Sequence, residues 1–237
     1  MNITTYTRPD GLYISAQAPW PQLVSDETLR RFADGFVIRA LDYDNPSLTL
    51  ADLLHHPALQ TYPLLTILLA LEAEVYAVAN GKQPVFPLAG FLRYRAKLSP
   101  DKFPLHSVYL PRPVCTNQHY LLNKFDDGFC VAVQLTLHPR FKIAKNVRLA
   151  TGSPHRRPTR LTALERHLEQ QVLDKDFIRL VVTVGGQACA KLLTKDEQEY
   201  LIQTLSLLVE ENTLEKTNPT IYVPRYADAD FSVLQPC

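Results

Sequence analysis

Residues 62–98 read YPLLTILLALEAEVYAVANGKQPVFPLAGFLRYRAKL. Pro63 suits the first turn of a helix, where its missing N–H is not needed. Leu64, Leu65, Ile67, Leu68, Leu69 and Leu71 are apolar on nearly every side, so this helix is expected to be buried all round. Glu74–Val78 changes to strand periodicity. Asn80-Gly81 then predicts a two-residue type I′ hairpin turn, because both positions tolerate positive φ. Gln83–Leu88 is the return strand, and a second short helix follows it.

On the N-terminal side, residues 1–24 read as an extended segment with one short strand, broken by Pro9, Pro19 and Pro21. Ser25 is expected to cap a short helix to Phe32. Asp34-Gly35 marks a turn before a strand over Phe36–Leu41, and residues 42–46 form a loop. Thr49 caps a helix through Leu54 that stops near Pro57. His55-His56 suits that helix end, where histidine can bond the last carbonyls.

On the C-terminal side, Ser107–Leu110, Phe129–Leu137 and Lys145–Thr151 read as strands of an antiparallel sheet. Thr162 and Glu165 predict a capping box for a helix to about Val172, with Leu161, Leu164, Leu168 and Val172 as its apolar stripe. Asp176–Leu193 is ambiguous: its Val-rich centre favours strand, and Gly185-Gly186 breaks that pattern. Thr194 and Glu197 form a second capping box, opening a helix to about Asn212 with Leu201, Leu205, Leu208 and Val209 inward.

Three stretches together resemble one family. They are residues 62–98, the preceding Arg39-Ala40 and Ser47–Pro57, and the later Val147–Ser153, Arg157–Arg160, Glu165 and Leu168. The family is the FAD-binding medium subunit of molybdenum hydroxylases of the carbon monoxide dehydrogenase and xanthine dehydrogenase type. The resemblance covers about residues 30–212 and is carried by pattern and order. It implies an α+β fold: a reduced FAD-binding-type second subdomain over residues 1–100, a flavoprotein C-terminal-like antiparallel sheet packed on helices over 101–215, and an extended tail over 216–237. It also places Lys124, Asp126 and Asp127 in a loop that lies near the flavin in the family.

Two glycine loops of that family have no counterpart. One, of the form A-G-G-T, belongs to a first subdomain that this sequence is expected to lack. The other, T-I-G-G-N, would fall where Tyr62 to Leu71 runs without interruption, and by spacing Pro63 stands where the family has an acid that meets the flavin. Backbone that wraps a pyrophosphate needs glycine for close approach. The chain has 8 glycines and 18 prolines in 237 residues, with no tandem glycine before Gly185. Average usage would give about 16 glycines.

The remaining features are plainer. A formal net charge of +1 makes no electrostatic case for nucleic acid or an anionic membrane. No signal peptide or membrane span is legible, and Cys115, Cys130, Cys189 and Cys237 read as reduced thiols of a cytoplasmic protein, without metal-site spacing. Asp126-Asp127 before Gly128 reads more readily as turn chemistry than as a flavin-side pair. Arg156, Arg157 and Arg160 form the densest basic patch, offering a grip for a phosphate or an acidic partner, or else a solvated loop before a helix. No nucleophile or metal motif occurs. The sequence therefore points to a relative of the flavoprotein subunit that has lost FAD and acts through protein contacts. Its partner would be molybdopterin and iron–sulfur subunits or a second copy. The alternatives are an FAD-binding electron-transfer subunit completed by a partner chain, and a small-ligand domain reusing the vacated cleft.

Overall fold

The computed structural model describes residues 4–41, 48–55, 62–79, 81–113 and 117–214. Asn80, His56, Pro57, the loop at 42–46, Cys115, Cys237 and the tail at 216–237 lie outside them.

The first sheet is antiparallel throughout. It holds β1 (Thr5–Arg8), β2 (Gly11–Ser15), β3 (Glu74–Ala77), β4 (Val85–Pro87) and β5 (Leu105–Pro111) in the order β1-β2-β5-β3-β4. The second holds β6 (Gln118–Lys124), β7 (Cys130–Leu137), β8 (Ala144–Ser153) and β9 (Arg156–Arg160) in sequential order. The fold is α+β. The helices are α1 (Trp20–Ser25), α2 (Glu27–Arg31), α3 (Leu50–His55), α4 (Tyr62–Ala70), α5 (Leu88–Tyr94), α6 (Thr162–Leu168), α7 (Lys175–Leu180), α8 (Gly186–Cys189) and α9 (Lys195–Leu214).

Helix α4 organises both halves. Every residue from Leu64 to Ala70 is buried. It shares one buried cluster with the core of the first sheet, in which Leu12, Ile14, Val75, Val108 and Leu110 join Leu65 and Leu68. It also lies on the second sheet, where Ala132 and Ala150 are small enough to admit it. The opposite face of that sheet presents Val131, Val133, Leu135, Val147 and Leu149 to α6, α7 and α9. Hence β7 is almost wholly buried on both faces. Gly152 sets how closely β8 meets α4, because a Cβ there would stand 2.2 Å from Thr66 Oγ1.

The hairpin forms. Glu74, Val75 and Tyr76 pair with Pro87, Phe86 and Val85. Ala79 and Lys82 exchange two backbone hydrogen bonds of 2.9 and 3.0 Å around the two turn residues, and Gly81 has φ +73°. The α3 cap is also as expected: Thr49 N donates to Asp52 Oδ2 at 2.9 Å, and Asp52 N donates to Thr49 Oγ1 at 3.2 Å. At α9, Thr194 N donates to Glu197 Oε2 at 2.7 Å, and Glu197 N donates back to Thr194 Oγ1 at 3.3 Å.

Other segments depart from the sequence expectations. Residues 5–15 are a two-stranded hairpin rather than one strand, and Trp20–Ser25 is helical. The cap of α2 is Asp26, which accepts from Leu29 N at 2.8 Å, one residue past Ser25. Phe32–Gly35 is a turn, with Ala33 and Asp34 at φ +49° and +52°, but the strand expected over Phe36–Leu41 is absent and Ile38–Ala40 is a tight helical turn. Phe36, Val37, Ala40 and Leu41 are buried together, which is the spacing of a helical face. Strand β5 pairs with β2 and β3 and so belongs to the first sheet, apart from β7 and β8. Residues 181–189 are helical, with a π-type turn over Val181–Gly185. Helix α6 ends at Leu168 without a Thr162 cap, and Val172 is 45% exposed.

Candidate functional site

The residues picked out near a family flavin do come together. An open groove of about 490 Å³ is lined by Pro63 of α4, the β6–β7 turn from Lys124 to Cys130, and Pro154-His155 of the β8–β9 turn. The β6–β7 turn is fixed locally. Gly128 N donates to Phe125 O at 2.9 Å, Phe125 N donates to Phe129 O at 2.9 Å, and Gly128 takes φ +81°. Asp127 Oδ1 accepts from Phe129 N at 2.9 Å, so its carboxylate serves the turn itself. Phe125 stacks on Tyr200 of α9 with ring centroids 4.0 Å apart. The surroundings are acidic: the carboxylates of Asp127 foremost, then burial, Asp196, Asp126 and Glu199, push the Tyr200 phenol up.

Behind the turn, Cys130 is buried against α4. Its Sγ lies 3.3 Å from Thr66 Oγ1 and 3.5 Å from Gly152 O. Burial pushes this thiol up to about 11, so it is a packing residue rather than a nucleophile at neutral pH. Among the described residues no cluster of three or more metal-ligating side chains occurs, and no helix is long and apolar enough to cross a membrane.

The three arginines do not form one patch. They lie on β9, where Arg160 pairs with Ala150 and Arg156 with Ser153 across a register shift, so these two arginines project from opposite faces of the sheet. Arg156 is ion-paired with Glu197. Arg160 meets Glu165 through Nε at 3.0 Å and Nη2 at 2.5 Å, and Glu72 through Nη1 at 2.7 Å. Arg148 adds a second cation to Glu72 at 2.9 Å. Glu72 follows α4 with φ +54° and joins the end of that helix to β8 and β9. Arg157 is exposed. Sequence reasoning did not find Glu72, Glu165 and Glu197 as the partners of this patch. Both Glu165 and Glu197 read as capping partners, which holds for Glu197 but not for Glu165, and no local signal marks Glu72.

No protein-family model and no curated protein sequence matches the chain. The likeness lies in the fold. A chain of the carbon monoxide dehydrogenase from Hydrogenophaga pseudoflava, in a form lacking the Mo-pyranopterin moiety of the molybdenum cofactor, superposes with a TM-score of 0.66. It is 14% identical, with 87% of this chain and 75% of that chain covered. A chain of reconstituted CO dehydrogenase from Oligotropha carboxidovorans gives 0.66 at 14% identity, with 88% and 76% covered. One of quinoline 2-oxidoreductase from Pseudomonas putida 86 gives 0.64 at 14% identity, with 89% and 76% covered. The chain therefore has the α+β fold of these molybdenum hydroxylase chains, the fold its sequence resembles.

Proposed function

We propose that the chain is a relative of molybdenum hydroxylase flavoprotein subunits that does not hold FAD and works through protein contacts, in a scaffold or assembly role. Residues 1–100, completed by β5, are its reduced FAD-binding-like part, and the rest of 101–215 is its C-terminal-like part. The observation that carries this reading is the chemistry of the groove at Pro63. A pyrophosphate needs convergent backbone N–H groups or cations. Among the described residues, two prolines without an N–H and the Asp126-Asp127 pair share the lining with Lys124 and His155. The glycines nearby are committed elsewhere, Gly128 to a positive-φ turn and Gly152 to the contact with Thr66. The groove does not fit a dinucleotide.

Partners follow by analogy of fold: molybdopterin and iron–sulfur subunits, or a second copy. Titrating FAD into the purified chain while following flavin fluorescence tests the reading. No saturable binding is expected at micromolar concentration. An endpoint of one FAD per chain would replace this proposal with an electron-transfer subunit.

A further inference from the structure

A second cavity lies away from the groove at Pro63, on the far side of the C-terminal sheet. It is about 540 Å³ and is enclosed by the β7–β8 turn, the residues leading into α7, and the last turns of α9. That size falls within the range of small-molecule sites, which run from about 300 to 1,000 Å³. Its lining is mixed in a particular way. Phe141, Val172, Leu173, Ile178 and Val209 supply apolar walls. Phe141 is 55% exposed and Val172 45% exposed, although both stand beside well-packed core.

Three cations surround these walls: Arg140, Lys142 and Lys175. The Arg140 guanidinium lies over the Phe141 ring, 5.4 Å from its centroid. Two carboxylates, Asp174 and Glu210, share the lining. Asp174 is already spent as the cap of α7, accepting from Asp176 N at 2.9 Å and Phe177 N at 3.2 Å. Deeper in, Asn212 is only 4% exposed. Its Nδ2 donates to Leu208 O at 2.8 Å, while its buried Oδ1 has no donor among the described residues. A buried carbonyl oxygen without a partner is costly.

We propose that this cavity binds a small apolar molecule carrying an anionic group and an N–H or O–H donor. The apolar walls take its body, the cationic rim takes the anion, and Asn212 Oδ1 accepts from the donor. The inference is independent of the reading of the groove at Pro63.

The probe for the test is 8-anilinonaphthalene-1-sulfonate, which combines an apolar ring system, a sulfonate and an N–H. With the full chain, saturable binding of one molecule with a blue-shifted emission is expected. Ser206→Trp, which fills the cavity from α9, should abolish it. Arg140→Glu and Lys175→Glu, both at the rim, should each weaken binding about tenfold, the scale of one charge-assisted contact, without moving the melting temperature. The rim variants keep the test decisive if Ser206→Trp unfolds the chain. Non-saturable binding, or saturable binding that the variants leave untouched, would overturn the proposal. So would binding that appears only in a chain ended after residue 214, or only on dissociating a dimer, because the occupant would then be the chain's own tail or a second copy.

Discussion

Leu68→Ala is expected to lower the unfolding free energy by about 2–5 kcal/mol, the range for truncating a buried leucine. The size follows from where α4 sits. Leu68 is fully buried and belongs to a helix that has protein on every side, between the first sheet and the second. Neither layer can collapse into the space without breaking its own packing, so the lost transfer energy and the cavity add together. A lower denaturant midpoint with an unchanged slope would show the effect as one of stability. A midpoint unchanged within error would mean that α4 is not the shared core of the two sheets, and the layered architecture would fall with it.

The same position explains what was legible in the sequence. A helix buried all round has to be apolar all round, and residues 64–71 say so directly. The Thr49 and Thr194 caps were legible because their partners lie three residues away. Legibility failed where tertiary contacts decide. The apolar run at 36–41 is too short for its periodicity to separate a strand from a buried helical turn. Residues 181–184 are rich in β-branched side chains, yet the segment is helical. Gly185 there packs near Leu164, a contact that no local propensity encodes. Strand β9 is charged and holds Pro158, so it read as a loop. It is an edge strand, where proline costs no ladder bond, and Arg156 and Arg160 are neutralised from elsewhere in the chain.

The candidate site shows the same division. Asp126, Asp127 and Gly128 were legible as a turn because the hydrogen bonds are local. That Pro154, His155 and Tyr200 meet this turn was not legible, since they converge from other elements. The basic patch at 156–160 was legible as charge, and its division between the two faces of a strand was not.

Glu165→Ala is expected to cost about 3–5 kcal/mol, the range for removing one partner of a buried ion pair. Glu165 is 5% exposed. Its Oε1 accepts from Leu149 N at 2.9 Å and Arg160 Nε at 3.0 Å, and its Oε2 takes Arg160 Nη2 at 2.5 Å. Truncation orphans a strand N–H and leaves the half-buried guanidinium with Glu72 alone. Burial works against the charge on Arg160, and the carboxylates of Glu165 and Glu72 more than overcome it. Burial likewise works to raise the Glu72 carboxyl, but the Arg160 and Arg148 guanidiniums hold it below its ordinary range. Its contribution is therefore present above the unfolded carboxylate pKa and is lost as pH falls through the folded value. The discriminating comparison is the double variant Arg160→Leu with Glu165→Leu. Removing both charges spares the uncompensated cation, so the double variant should be more stable than Glu165→Ala despite carrying two changes. Urea melts of the wild type, Glu165→Ala and the double variant give the order. A Glu165→Ala midpoint equal to that of the wild type would show that the pair adds nothing net to stability. The junction of α6 with β8 and β9 would then be held by packing alone.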